Sequence, residues 1–127
     1  MNIKVVNQGK DISRVIINDP KTYNSLSTKN LLDLIKVFKK LDNDKKVKVI
    51  ILEGAGKGFS AGHNLKEVRG LKKKEKYQKL FSLCSKLMIQ IVEGRKPVIA
   101  KVHGAAYAAG CQLVASCDLA YSTKDAL

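Results

Sequence analysis

Two apolar runs, residues 47–52 and 97–102, each break off into a glycine- and alanine-rich segment and then into a helical stripe. Runs this apolar suit strands of a sheet buried on both faces, the usual state of a parallel sheet. A parallel pair needs a crossover, normally a helix passing right-handedly over the sheet. The pattern therefore predicts an α/β fold with ligand-binding potential where the strands run out into small residues.

The rest of the chain fits this frame. Residues 3–6 and 14–18 read as strands, with a hairpin loop at residues 8–11 and a turn at Asp19-Pro20. Ser27 is the expected N-cap of a helix, because Leu31, Leu34, Ile35, Phe38 and Leu41 recur at helical spacing after it, up to residues 42–44. Tyr77, Leu80, Phe81, Cys84, Leu87, Met88, Ile91 and Val92 form a second stripe, closed by Gly94 and Pro97. Leu113, Val114 and Cys117 continue a helix begun in the second small-residue segment, and residues 118–122 read as a last strand. No linker, internal repeat or low-complexity block divides the 127 residues, which predicts one domain.

Composition narrows the function classes. Twenty-four Lys and Arg against 11 Asp and Glu give a formal net charge of +13, a field that favours anionic partners without choosing among nucleic acid, anionic lipid and a phosphorylated ligand. Residues 66–79 alone hold seven Lys and Arg and two Glu. No aromatic side chain interrupts that run before Tyr77, and no nucleic-acid motif accompanies it, so a solvated, ligand-steering face is the preferred reading. Cys84, Cys111 and Cys117 have no zinc-like spacing and sit among apolar residues, so three buried free thiols and no metal are expected. Residues 1–6 lack a signal core, and no apolar run reaches the length of a membrane span. A cytoplasmic protein is the expectation, or one of the mitochondrial matrix where a transit peptide has been lost.

Neither small-residue segment is a phosphate loop: G-x-x-x-x-G-K-[ST] and G-x-G-x-x-G are both absent. What the segments resemble is a different family. Gly56-Lys57-Gly58-Phe59-Ser60-Ala61-Gly62-His63-Asn64-Leu65-Lys66-Glu67 resembles the pattern G-x-x-F-[SC]-[AS]-G-x-D-L-x-E of the crotonase, or enoyl-CoA hydratase/isomerase, family. Lys96-Pro97-Val98-Ile99-Ala100-Lys101-Val102-His103-Gly104 resembles its K-P-[VT]-I-A-x-[VI]-x-G strand. Ala108-Ala109-Gly110-Cys111-Gln112-Leu113, followed by Cys117-Asp118, resembles its G-G-G-x-E-L-x-x-x-C-D helix, and Asp19-Pro20-Lys21-Thr22-Tyr23-Asn24-Ser25-Leu26 its early R-P-x-x-x-N-[AS]-L. The four matches are collinear and span nearly the whole chain.

The resemblance implies a crotonase-like (ClpP/crotonase) spiral of ββα units, of which residues 1–127 are the N-terminal part with the C-terminal part missing. It implies an acyl-CoA thioester as substrate or ligand, no separate cofactor, and a homo-oligomer, trimer or hexamer, at full length. Carried over by position, the backbone N–H groups of His63 and Ala109 form an oxyanion hole, and Gln112 stands where hydratases of the family carry a catalytic Glu. Ala61, Asn64, Leu65 and Lys66 line the pantetheine and adenine end, with Lys21 and Tyr23 approaching from the early loop. Two fixed N–H donors stabilise the charge that a thioester carbonyl gains on enolisation, each by roughly 3 kcal/mol in analogous sites.

Three departures from the pattern bear on activity. Gln112 can orient a carbonyl or water but cannot exchange a proton near neutral pH. The family's second Glu lies beyond Leu127. Ala109 and Asn64 replace the usual Gly and Asp. His63 together with the Ala-Ala-Gly-Cys-Gln run resembles a branch of the family that keeps the fold with Gln at the Glu position. For His63 a backbone role is preferred to acid–base work by its ring; His103 reads as a packed residue, Cys111 as packing rather than a nucleophile, Asp118 as an anchor for a turn or cap, and Glu67 as solvent-facing. The expected function is acyl-CoA thioester binding of the enoyl-CoA hydratase/isomerase type. The alternatives are a non-catalytic acyl-CoA-binding or interaction protein and, more weakly, a basic nucleic-acid-binding protein.

Overall fold

The structure, a computed structural model, describes residues 2–126. Strands β1 (Ile3–Gln8) and β2 (Ile12–Ile17) form an antiparallel hairpin, from which the chain crosses through α1 (Thr28–Asp42) to β3 (Val49–Gly54). It continues through α2 (Leu65–Gly70) and α3 (Lys74–Glu93) to β4 (Val98–Val102), then α4 (Ala109–Ser116) and β5 (Leu119–Ser122). The sheet order is β1-β2-β3-β4-β5, with β2 to β5 all parallel. Every crossover steps to the next strand in the same direction, so right-handed connections stack the helices on one face. There α3 packs against both α1 and α4.

Alternation places the core. Val98, Ala100 and Val102 of β4 point inward, with Ile50 and Leu52 of β3 and Val15 and Ile17 of β2. Leu31, Leu34 and Phe38 from α1 and Leu80, Leu87 and Ile91 from α3 close over them. As the spacing predicts, Ser27 caps α1: its Oγ accepts from the Asn30 N–H at 3.1 Å. After β3 and β4 the chain makes one further short parallel pairing, Ser60 with Ala106, before each helix begins. That second, smaller pairing produces the ββα units of a crotonase-like spiral.

The structure corrects several expectations. Strand β3 begins two residues later than expected and runs on through Glu53 to Gly54, because Arg14 partners Glu53 from the neighbouring strand and makes its burial tolerable. A short helix, α2, occupies part of the basic run, started by Asn64, whose side chain accepts from the Lys66 and Glu67 N–H groups. Glu67 does not face solvent: its carboxylate accepts from the Thr28 N–H at 3.0 Å and the Thr28 hydroxyl at 2.6 Å, capping α1 from another helix. Of the three thiols only Cys84 is buried; Cys117 is half-buried, and Cys111 lies on the solvent side of α4. Burial pushes the Cys84 thiol up, and burial with the neighbouring Asp118 carboxylate pushes that of Cys117 up to about 12. Asp118 anchors the edge of β4, accepting from the Val98 N–H at 2.8 Å.

Candidate functional site

The two small-residue segments come together. Three links fix the first of them, after β3, to the early loop. Asn24, fully buried at φ 55°, donates from Nδ2 to the carbonyls of Ala55 at 2.7 Å and Gly58 at 3.0 Å, while its Oδ1 accepts from the Asp19 N–H at 2.8 Å. The Ala61 N–H donates to the Tyr23 carbonyl at 2.9 Å, and the Leu26 N–H to the Gly62 carbonyl at 2.7 Å. The second segment is clipped to the first: Phe59 N–H donates to the Ala105 carbonyl at 2.9 Å, and Tyr107 N–H to the Ser60 carbonyl at 3.0 Å.

Glycine makes this approach sterically available. A Cβ on Gly110 would sit 2.4 Å from the Ser60 carbonyl oxygen, so no side chain fits where α4 begins. A Cβ on Gly62, which has φ +88°, would sit 3.2 Å from the Ala109 nitrogen. The His63 nitrogen is three covalent bonds from that point. The His63 and Ala109 N–H groups therefore occupy one small region, and among the described residues no acceptor meets either of them. Ala109 is the first residue of α4, where N–H groups lack helical partners and the helix dipole favours negative charge.

Ala108 sets the direction of the Ala109 N–H. Its φ 49°, ψ −118° and the Gly110 N–H donating to the Tyr107 carbonyl at 2.8 Å define a type II′ turn with Ala at a position that favours glycine. The motif alignment takes no account of this strain, although alanine in a glycine-rich pattern was a visible signal for it.

A cavity of about 320 Å³ lies between the two segments and the early loop, lined by Tyr23, Lys57, Gly58, Ala61, Ala105 and Tyr107. A second, of about 300 Å³, shares Tyr23, Lys57 and Gly58 with it and extends to Lys21, Asn24 and Gly56. Lys21, Tyr23 and Ala61 thus line these cavities. Asn64, Leu65 and Lys66 line neither cavity: Asn64 serves as the cap of α2, and Leu65 and Lys66 are exposed on it. Lys57 and Tyr107 were missed by the sequence reading, and their place in the motif segments was the signal available.

Gln112 is exposed on the first turn of α4. The His63 ring meets Phe81 of α3 edge-on, with ring centroids 5.1 Å apart, and its Nδ1 is buried without a hydrogen-bond partner among the described residues. The ring of His103 holds the glycine loop, with Nε2 2.7 Å from the Gly56 carbonyl oxygen. Among the described residues no group of three or more His, Cys, Asp or Glu is placed to hold a metal ion, and no helix is long and apolar enough to cross a membrane.

The fold defines a crotonase-type domain, and sequence comparison agrees. The family profile described as enoyl-CoA hydratase/isomerase matches residues 7–127. The chain belongs to the enoyl-CoA hydratase/isomerase family.

Within it, the similarity runs to the enoyl-CoA hydratase domain-containing protein 3 branch, the one that the His63 and Ala108–Gln112 residues resemble. The mitochondrial protein of that name from Xenopus laevis is 41% identical over 121 residues, 95% of this chain and 41% of the relative. That from Homo sapiens is 40% identical over 112 residues, 88% and 37%. Among solved structures, an enoyl-CoA hydratase from Mycobacterium smegmatis superposes with a TM-score of 0.96 at 42% identity, covering 99% of this chain and 49% of that one. Human enoyl-CoA hydratase domain-containing protein 3 superposes at 0.93 with 36% identity, again over 99% and 49%. The chain spans about two fifths to one half of the length of these relatives.

Proposed function

We propose that this chain binds an acyl-CoA thioester, its carbonyl oxygen accepting from the backbone N–H groups of His63 and Ala109. The observation that carries this reading is the approach of Gly62 to the Ala109 nitrogen, 3.2 Å from a would-be Cβ, which puts two unengaged donors side by side. The apolar walls between Tyr23, Ala61 and Tyr107 suit the pantetheine arm. Lys57, shared by the two cavities, and Lys21, on the second, suit the phosphates. The thioester is itself the ligand, and no separate cofactor or metal enters.

The same geometry favours binding over hydration. Gln112, at the position of the family's Glu, is neutral and cannot act as an acid or base. The chain is thus proposed to polarise the thioester without adding water across an enoyl bond by itself. The relatives extend well beyond the matched residues, and a homo-oligomer is the proposed assembly at full length. The exposed edge-strand residues Leu119 and Tyr121 are consistent with a further contact there.

Calorimetric titration of the folded chain with acetoacetyl-CoA and with free CoA tests the proposal. Thioester binding at least about tenfold tighter than that of CoA is expected from two added N–H contacts. Equal affinities would mean that the carbonyl is not held. Rapid hydration of crotonyl-CoA by this chain would overturn the role given to Gln112.

A further inference from the structure

Between His63 and Phe81 the chain leaves the body of the domain and returns to the same place, the two rings meeting at 5.1 Å. The excursion comprises α2, a short connection and the first turns of α3. No side chain from Leu65 to Lys79 is fully buried; the first buried residue of α3 is Leu80. Val68 and Leu71 pack against the edge of the core, but the charged residues of the stretch do not, so packing does not explain its basic composition.

Its composition is strongly basic. All seven Lys and Arg of residues 66–79 are exposed. The ion pairs among the described residues are Arg14–Glu53 and Arg95–Asp42, so none of the seven is neutralised in this way. Glu67, one of the two acids within the run, is turned away to cap α1 at Thr28. The cations are therefore concentrated on an exposed excursion that begins and ends at the His63 segment, with exposed Leu65 at one end and half-exposed Phe81 at the other.

We propose that this excursion is a docking element for an anionic phospholipid surface. A cluster of four to eight cations on a surface element is the electrostatic signature of such binding. Six of the seven are lysine, which acts as a hydrated point charge toward a diffuse anionic surface and lacks arginine's planar fork for discrete phosphates. Leu65 and Phe81 supply apolar anchors at the edge of the charged patch. Single-stranded nucleic acid fits less well, because the aromatics of the stretch offer poor stacking platforms: the Phe81 ring is engaged edge-on by His63 and Tyr77 is half-buried.

The test is co-sedimentation of the full chain with phosphatidylcholine vesicles, with and without phosphatidylserine. Binding is expected only with phosphatidylserine and is expected to fall steeply with salt. Reversal of three charges in the connection and at the first residue of α3 (Lys72→Glu, Lys73→Glu, Lys74→Glu) is expected to weaken it by at least about a hundredfold. The matched reversal Lys39→Glu, Lys40→Glu, Lys45→Glu, on exposed residues at and just beyond the far end of α1, controls for net charge and is expected to weaken it much less. Circular dichroism shows that both variants are folded. Equal binding to neutral vesicles, equal losses in the two triple variants, or binding to poly-U RNA in place of vesicles would each overturn the proposal.

Discussion

The side chain of Asn24 and the backbone of Gly58 are joined by a 3.0 Å hydrogen bond across 34 residues of sequence, and the same amide also holds the Ala55 carbonyl. One buried side chain thereby fixes the loop after β3 in both position and direction. In Asn24→Ala those carbonyls and the Asp19 N–H lose their shared, largely buried partner. A loss of about 3 kcal/mol in unfolding free energy is expected, measurable by urea denaturation, together with loss of thioester selectivity. A variant of unchanged stability would mean that the loop is held by other contacts.

Ala108 carries the opposite sign. Its φ of 49° strains a residue with a Cβ, and Ala108→Gly removes the strain without removing a contact that the turn needs. A gain of about 1 kcal/mol, a rise of a few degrees in the melting temperature, is expected if relief of strain exceeds the extra freedom of the unfolded chain. Thermal unfolding that shows a loss instead would mean that the Cβ packs usefully against the neighbouring segment.

Gly110→Ala reports on the approach of α4 to the Ser60 loop. Its new Cβ would lie 2.4 Å from the Ser60 oxygen, against backbone that has little room to yield. The helix start must move, and the Ala109 N–H with it. A destabilisation of about 2 kcal/mol is expected. In the fraction that remains folded, calorimetry is expected to show acetoacetyl-CoA binding no more tightly than CoA.

Acid stability depends on a pair remote from the site. Arg14 makes two hydrogen bonds to the Glu53 carboxylate, at 2.6 and 3.1 Å, and these hold its pKa below the ordinary carboxylate value against the opposing effect of burial. A folded-state pKa below the unfolded one means that stability is fully present above the unfolded value and is lost as pH falls through the folded one. Denaturation midpoints measured from neutral pH down through the carboxylate range are expected to decline. In Glu53→Gln the part of that decline due to this carboxylate is expected to vanish.

Much of this was legible in the sequence. The stripe from Leu31 to Leu41, the cap at Ser27 and the apolar run of β4 depend on local spacing, and the structure has them where that spacing puts them. The convergence of the two small-residue segments was legible through the motif resemblance. Partners distant in sequence were not. Nothing near Glu67 announces that it caps a helix 39 residues away, and Cys111 shares its apolar surroundings with thiols that are more buried. Lys57 and Tyr107 line the cavity only because two loops fold beside each other, a relationship that local spacing does not encode.

The two backbone N–H groups are proposed to polarise a thioester carbonyl, and the carbonyl itself can report it. Carbon-13 NMR of acetyl-CoA labelled at the thioester carbon, free and bound to the folded chain, measures that polarisation directly. Donation from His63 and Ala109 withdraws electron density from the carbon, so a downfield shift on binding is expected, lost in Gly110→Ala. A bound thioester whose carbonyl resonance stays at its position in water would contradict the account.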